Sequence, residues 1–100
     1  MYTLGEGVPK DSAKAVEWYR AAAVQGLADG QYYLGMMYAE GDGVQRDNVL
    51  AYGWFKLAAI TGKTAAITKR AHAQSQLSDN ELAEAQRLSS GWKKGQVLVR

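Results

Sequence analysis

The chain has no cysteine, one proline, one phenylalanine and one histidine in 100 residues. Without cysteine there is neither a disulfide framework nor a thiolate metal site. A chain of this length buries a usable core without such staples. No alternating β-branched run occurs, so strands are not expected. No apolar run reaches the roughly 18 residues a membrane-spanning helix needs. Residues 1–8 show neither the basic nor the apolar region of a secretory signal, and a cysteine-free chain suits reducing and oxidising surroundings alike. Cytoplasmic and periplasmic locations therefore both remain open. The formal net charge is only +2. Its basic residues are scattered, with Lys93, Lys94 and Arg100 alone gathered near the C-terminus, whereas a nucleic-acid binder shows a basic stripe with interleaved aromatics.

What is present is a repeat. Shifted by 36 residues, positions 1–26 lie over 37–62 with eleven identities. These are Met1/Met37, Tyr2/Tyr38, Gly5/Gly41, Gly7/Gly43, Val8/Val44, Asp11/Asp47, Ala15/Ala51, Trp18/Trp54, Ala22/Ala58, Ala23/Ala59 and Gly26/Gly62. Residue usage alone gives about two matches in such a window. Self-similarity at this period marks a solenoid of supersecondary units.

The matched residues have physical roles. Gly-x-Gly-Val-x-x-Asp reads as a turn followed by a helix start, with Asp11 and Asp47 accepting free N–H groups of a first helical turn. Helices are expected at about 11–25 and 47–61, closed by Gly26 and Gly62. Ala15, Trp18, Tyr19, Ala22 and Gly26 share one arc, repeated by Ala51, Trp54, Phe55, Ala58 and Gly62. Between them, residues 28–40 carry a narrow apolar face of Leu34, Gly35 and Tyr38 and fold back as an antiparallel hairpin. Repetition predicts matching surroundings for Trp18 and Trp54, except that the first unit starts at Met1-Tyr2 without most of its leading helix. Trp18 and Tyr19 then lack part of their cover, which points to self-association at that end or to a longer natural chain.

These residues resemble the Sel-one-like repeat proteins, relatives of the tetratricopeptide repeats. Leu34, Gly35, Tyr38, Gly41, Gly43, Val44, Asp47, Ala51, Trp54, Ala58, Ala59 and Gly62 match the family pattern. Gly30 stands where a small alanine is usual and Phe55 replaces a tyrosine. Gly30 costs about 1 kcal/mol of helix propensity against alanine, so a looser turn is expected there. The resemblance implies an all-α superhelix, or solenoid, of antiparallel helix hairpins with C-terminal capping helices. On this reading residues 1–26 are a truncated first repeat, 28–62 a complete second repeat, 63–95 the capping helices and 96–100 a tail.

Within 63–95, a helix at about 64–77 places Ile67, Arg70, Ala71 and Gln74 on one side. Ser78 and Glu81 form a capping box, and Leu82, Ala85, Gln86, Ser89 and Trp92 follow at helical spacing. Leu50 and Leu57 replace Lys14 and Ala21 of the first unit, which fits C-terminal helices stacking on them.

Sites for chemistry are sparse. Gly41-Asp42-Gly43 lacks the third glycine and preceding strand of a dinucleotide fingerprint and reads as a turn. Asp42 and Asp47 are too few for a calcium loop, and His72 is a surface histidine without metal partners. The serines and threonines have helix-end or surface explanations. Glu81 and Glu84 are neighbours on an exposed helical face. No enzyme, cofactor or metal is expected.

The variable positions of the leading helix are Asp29, Tyr32, Tyr33, Met36, Met37 and Glu40. In the family such helices line the concave face, so the resemblance implies that these residues meet a protein or peptide partner. Tyrosine and methionine suit that role. Some of the six, Met37 above all, have packing against the neighbouring hairpin as an alternative role, while Tyr33 and Met36 are the foremost binding candidates. Two functions stay open: an interaction scaffold or adaptor, as in the family's common bacterial members, or a purely structural or self-associating end-module with no foreign ligand.

Overall fold

A computed structural model describes residues 11–99, and every structural statement below concerns those residues. The repeat matches at Met1, Tyr2, Gly5, Gly7 and Val8 lie outside them, as does Arg100. Five helices follow one another: α1 (Ser12–Val24), α2 (Ala28–Glu40), α3 (Asn48–Thr61), α4 (Ala65–Ser75) and α5 (Asp79–Ser90). No strand occurs among the described residues, so the chain is all-α, as its repeat period implies.

The 36-residue shift reappears in the hydrogen bonds. Asp11 accepts from the Lys14 N–H, and Asp47 accepts from Val49 and Leu50. At the other end the Leu27 and Lys63 N–H groups both return to an alanine carbonyl five residues back, Ala22 and Ala58. This pairing satisfies carbonyls that the helix itself leaves free. α2 ends on Gly41 in the left-handed region at φ 70°, a conformation open to glycine at little cost. The loop after it folds back through Asp42 N–H to the Met37 carbonyl and Asp47 N–H to the Tyr38 carbonyl. α5 carries the expected capping box between Ser78 and Glu81.

α2 packs between α1 and α3, while α4 and α5 both pack on α3. The molecule is elongated, with extents of 42 × 25 × 24 Å. α3 is consequently enclosed, with Val49 through Phe55, Leu57 and Ala58 all buried. A helix apolar all round needs cover on every side, and α3 receives it. On α4 the inward residues are Ala66 and Ala73, so the side bearing Ile67, Arg70, Ala71 and Gln74 faces outward. On α5 the buried residues are Ala85 and Ser89.

Three expectations need correction. Trp18 and Trp54 share a register but not an environment: Trp18 is 63% exposed and Trp54 is fully buried. Trp54 sits in a cluster with Leu50, Leu57, Val16 and Leu98, and Trp92 meets it edge-on at 6.4 Å. Its indole N–H has no hydrogen-bond partner. α1 buries only Ala15, Val16 and Ala23, so the face bearing Trp18 is open where that of Trp54 is enclosed.

Gly30, second, does not loosen its turn. A Cβ there would lie 2.5 Å from the Ala22 Cβ and 2.8 Å from the Ala23 nitrogen. The glycine is what lets α1 and α2 approach.

Third, residues 96–99 are not simply a tail. Leu98 is 5% exposed within the core, the Gly95 N–H donates to the Val24 carbonyl, and the Trp92 Nε1 donates to the Gln96 carbonyl. The segment ties α5 back to the end of α1.

Candidate functional site

The exposed side of α2 is built from the residues that its helical period turns away from Leu34. Tyr32 and Tyr33 lie in a row of rings crossing three helices. Tyr19 of α1 stacks on Tyr33 at 5.1 Å and 27°. Tyr33 meets Tyr32 edge-on at 5.2 Å, and Tyr32 lies 6.0 Å from Phe55 of α3. Since Tyr19 and Phe55 are equivalent positions of the repeat, the row runs from one unit to the next. Burial raises the Tyr19 phenol pKa, and nearby Tyr33 adds to the rise.

Lys63 closes this end of the row. Its Nζ stands 3.0 Å from the Asp29 carboxylate and 5.2 Å from the Tyr32 ring centroid. The Asp29 hydrogen bond holds the ammonium pKa above its usual value. Asp29 is exposed, so the pair is screened by solvent and adds little to stability.

Two depressions flank the ring row. One is a groove of about 180 Å³ between α2 and α4. Met36, Ala39 and Glu40 form its α2 wall, with Lys69, His72, Ala73 and Gln76 opposite. Phe55 lies beneath it, and Arg46 of the α2–α3 connection and Asn48 at the start of α3 complete the lining. The other depression is broad and open, about 620 Å³, and lies at the α1–α2 edge with Tyr19, Leu27, Asp29 and Tyr33 among its lining residues.

The six expected residues therefore separate. Met36 and Glu40 line the groove; Asp29 and Tyr33 line the open depression; Tyr32 stands in the ring row. Met37 is a correction. It is 7% exposed in the main core with Leu34, because a spacing of three positions puts both on one face of α2.

The opposite wall of the groove was missing from the expected set, although a signal for it exists. The 36-residue shift that reveals the repeats carries Tyr33 onto Lys69, Met36 onto His72 and Glu40 onto Gln76. α4 thus presents the same positions of the next unit. Gln31 was also missed: a fully buried polar side chain whose amide donates to the Ala23 carbonyl at 3.3 Å and whose oxygen accepts from Thr61 at 3.3 Å. It links the ends of α1 and α3.

Among the described residues, no three His, Cys, Asp or Glu side chains are grouped so as to hold a metal ion. Nor is any helix there long and apolar enough to cross a membrane.

Stacked antiparallel hairpins with repeated caps and a ring row crossing equivalent positions define an α-solenoid repeat protein. The profile described as Sel1 repeat matches residues 1–27 and 28–60; the chain belongs to the Sel1 repeat family. Repeats of this family are non-catalytic and generally mediate protein–protein interaction. Comparison with curated proteins returned no match.

Proposed function

We propose that this chain is an interaction scaffold that holds a peptide or a partner's helix along the leading helices α2 and α4. The observation that carries the reading is the groove between those helices, where the half-buried Met36 and Ala39 offer apolar surface beside polar groups. Pockets of that kind, apolar with a few placed polar groups, are where ligands are held. Tyr33 and Tyr32 extend the contact surface beyond the groove, giving broad area at low entropic cost. α4 and α5 act as a cap that shields the apolar flanks of α3 and keeps the stack soluble.

The test is affinity capture from native cell extract, with a Tyr33→Ala/Met36→Ala variant as the control. The double variant is expected to lose the captured partner while its melting temperature stays near that of the parent. Loss of folding would instead assign both side chains to the core.

A second reading, self-association, has its own observation. Trp18 and Leu27 are large exposed apolar side chains, and apolar surface of this kind favours association. Concentration-dependent mass by light scattering, abolished by Trp18→Ser, supports it. A monomer at every concentration excludes it.

A further inference from the structure

The groove between α2 and α4 carries a charge balance that its apolar lining does not require. Arg46 and Lys69 line it against one carboxylate, Glu40, with the His72 ring beside them. Neither Arg46 nor Lys69 forms an ion pair with any described residue. The open depression at the α1–α2 edge differs, since its one charged lining residue is Asp29. Arg46 also borders a depression on its other side, but there Asp47 stands with it, so it is the α2–α4 groove that has two of these cations against one carboxylate. Both cations are exposed, so a carboxylate beside them gains a modest, salt-dependent attraction that favours acidic over basic partners.

The apolar part has a size that limits its occupant. Phe55, Met36, Ala39 and Ala73 bound a space of about 180 Å³. A cavity of about 150 Å³ accepts benzene, so the space fits one leucine or phenylalanine side chain and not a cluster of them.

We infer that the groove selects an acidic peptide: a leucine or phenylalanine seated over Phe55, flanked by aspartate or glutamate facing Arg46 and Lys69. This specificity rests on the interaction reading above and narrows it to one class of partner.

Fluorescence anisotropy with the full chain tests it. The probe is a labelled peptide, Glu-Asp-Leu-Glu-Asp-Phe; two comparison peptides carry lysine in place of every acid, or serine in place of leucine and phenylalanine. The acidic probe is expected to bind and both comparisons to bind weakly. Lys69→Glu combined with Arg46→Glu should weaken the acidic probe by about tenfold or more and improve the lysine peptide, a reversal that misfolding cannot produce. Methyl-labelled methionine locates the site, with the Met36 methyl resonance shifting on binding. Equal binding of acidic and lysine peptides overturns the inference, as does binding that leaves Met36 unmoved. If extract capture depends on Tyr33 and Met36 while none of these peptides binds, the scaffold reading stands and the acidic specificity falls.

Discussion

At Gly30 two terms of opposite sign compete. Replacing a glycine by alanine within a helix gains up to about 1 kcal/mol of helix propensity, and Gly30 lies in the first turn of α2. Here the new methyl would meet the Ala22 Cβ at 2.5 Å and the Ala23 backbone nitrogen at 2.8 Å. Backbone cannot swing aside as a flexible side chain can, and overpacking of this kind costs about 1–3 kcal/mol. Gly30→Ala is therefore expected to destabilise on balance, seen as a lower urea midpoint with an unchanged slope. A rise in midpoint would show that α1 and α2 can separate freely. The adjacent methionines make a second comparison at this scale. Met37 is buried in the core and Met36 is only partly covered on the groove wall. Met37→Ala should cost about 2–5 kcal/mol, whereas Met36→Ala should stay within about 1 kcal/mol, close to the range of surface changes. Thermal melts of the two single variants separate the roles.

Helices and their ends were legible before any coordinates, for local reasons. Asp11, Asp47 and Ser78 cap the turns that follow them, and each cap depends on residues only two or three positions away. Ser78→Ala removes one half of the box with Glu81 and should cost about 1 kcal/mol. The loss is expected to localise to α5, read as faster amide exchange in its first turn. The hairpin order was equally legible, since period and face follow from spacing, whereas the candidate role of Met36 came from the family resemblance alone. What spacing could not reveal is where equivalent residues acquire different neighbours. Trp18 and Trp54 have the same register, yet only Trp54 meets Trp92 and Leu98. The buried role of Gln31 had no sequence signal because its partners, Ala23 and Thr61, lie on two other helices. The groove likewise needed α4 placed beside α2 before Lys69 and Met36 could share it.

The molecule as a whole is closed by its C-terminal segment. Stacked repeats contact chiefly their neighbours, and α1 and α5 meet mainly through the shared core cluster that Leu88 borders. Residues 92–98 add a further connection: Gly95 donates to Val24 at the end of α1, Trp92 packs on Trp54, and Leu98 enters the core beside Gly53. Leu98→Ala removes buried methyls and leaves a cavity, at a cost of about 2–5 kcal/mol. For a domain of this size that is a large share of a stability of about 5–15 kcal/mol, and each kcal/mol shifts the melting temperature by about 4–8 °C. The same change should loosen the cover on Trp54, whose ring is fully buried in the parent. Acrylamide quenching distinguishes the consequence from a uniform loss of stability. In the parent, Trp18 should account for most of the quenchable emission. In Leu98→Ala the Trp54 fraction should become accessible well below the melting temperature, provided that the segment holds the far ends of the stack together. Quenching unchanged from the parent, with a lowered melting temperature, would make Leu98 ordinary core filling and leave the closure of the molecule to its helices.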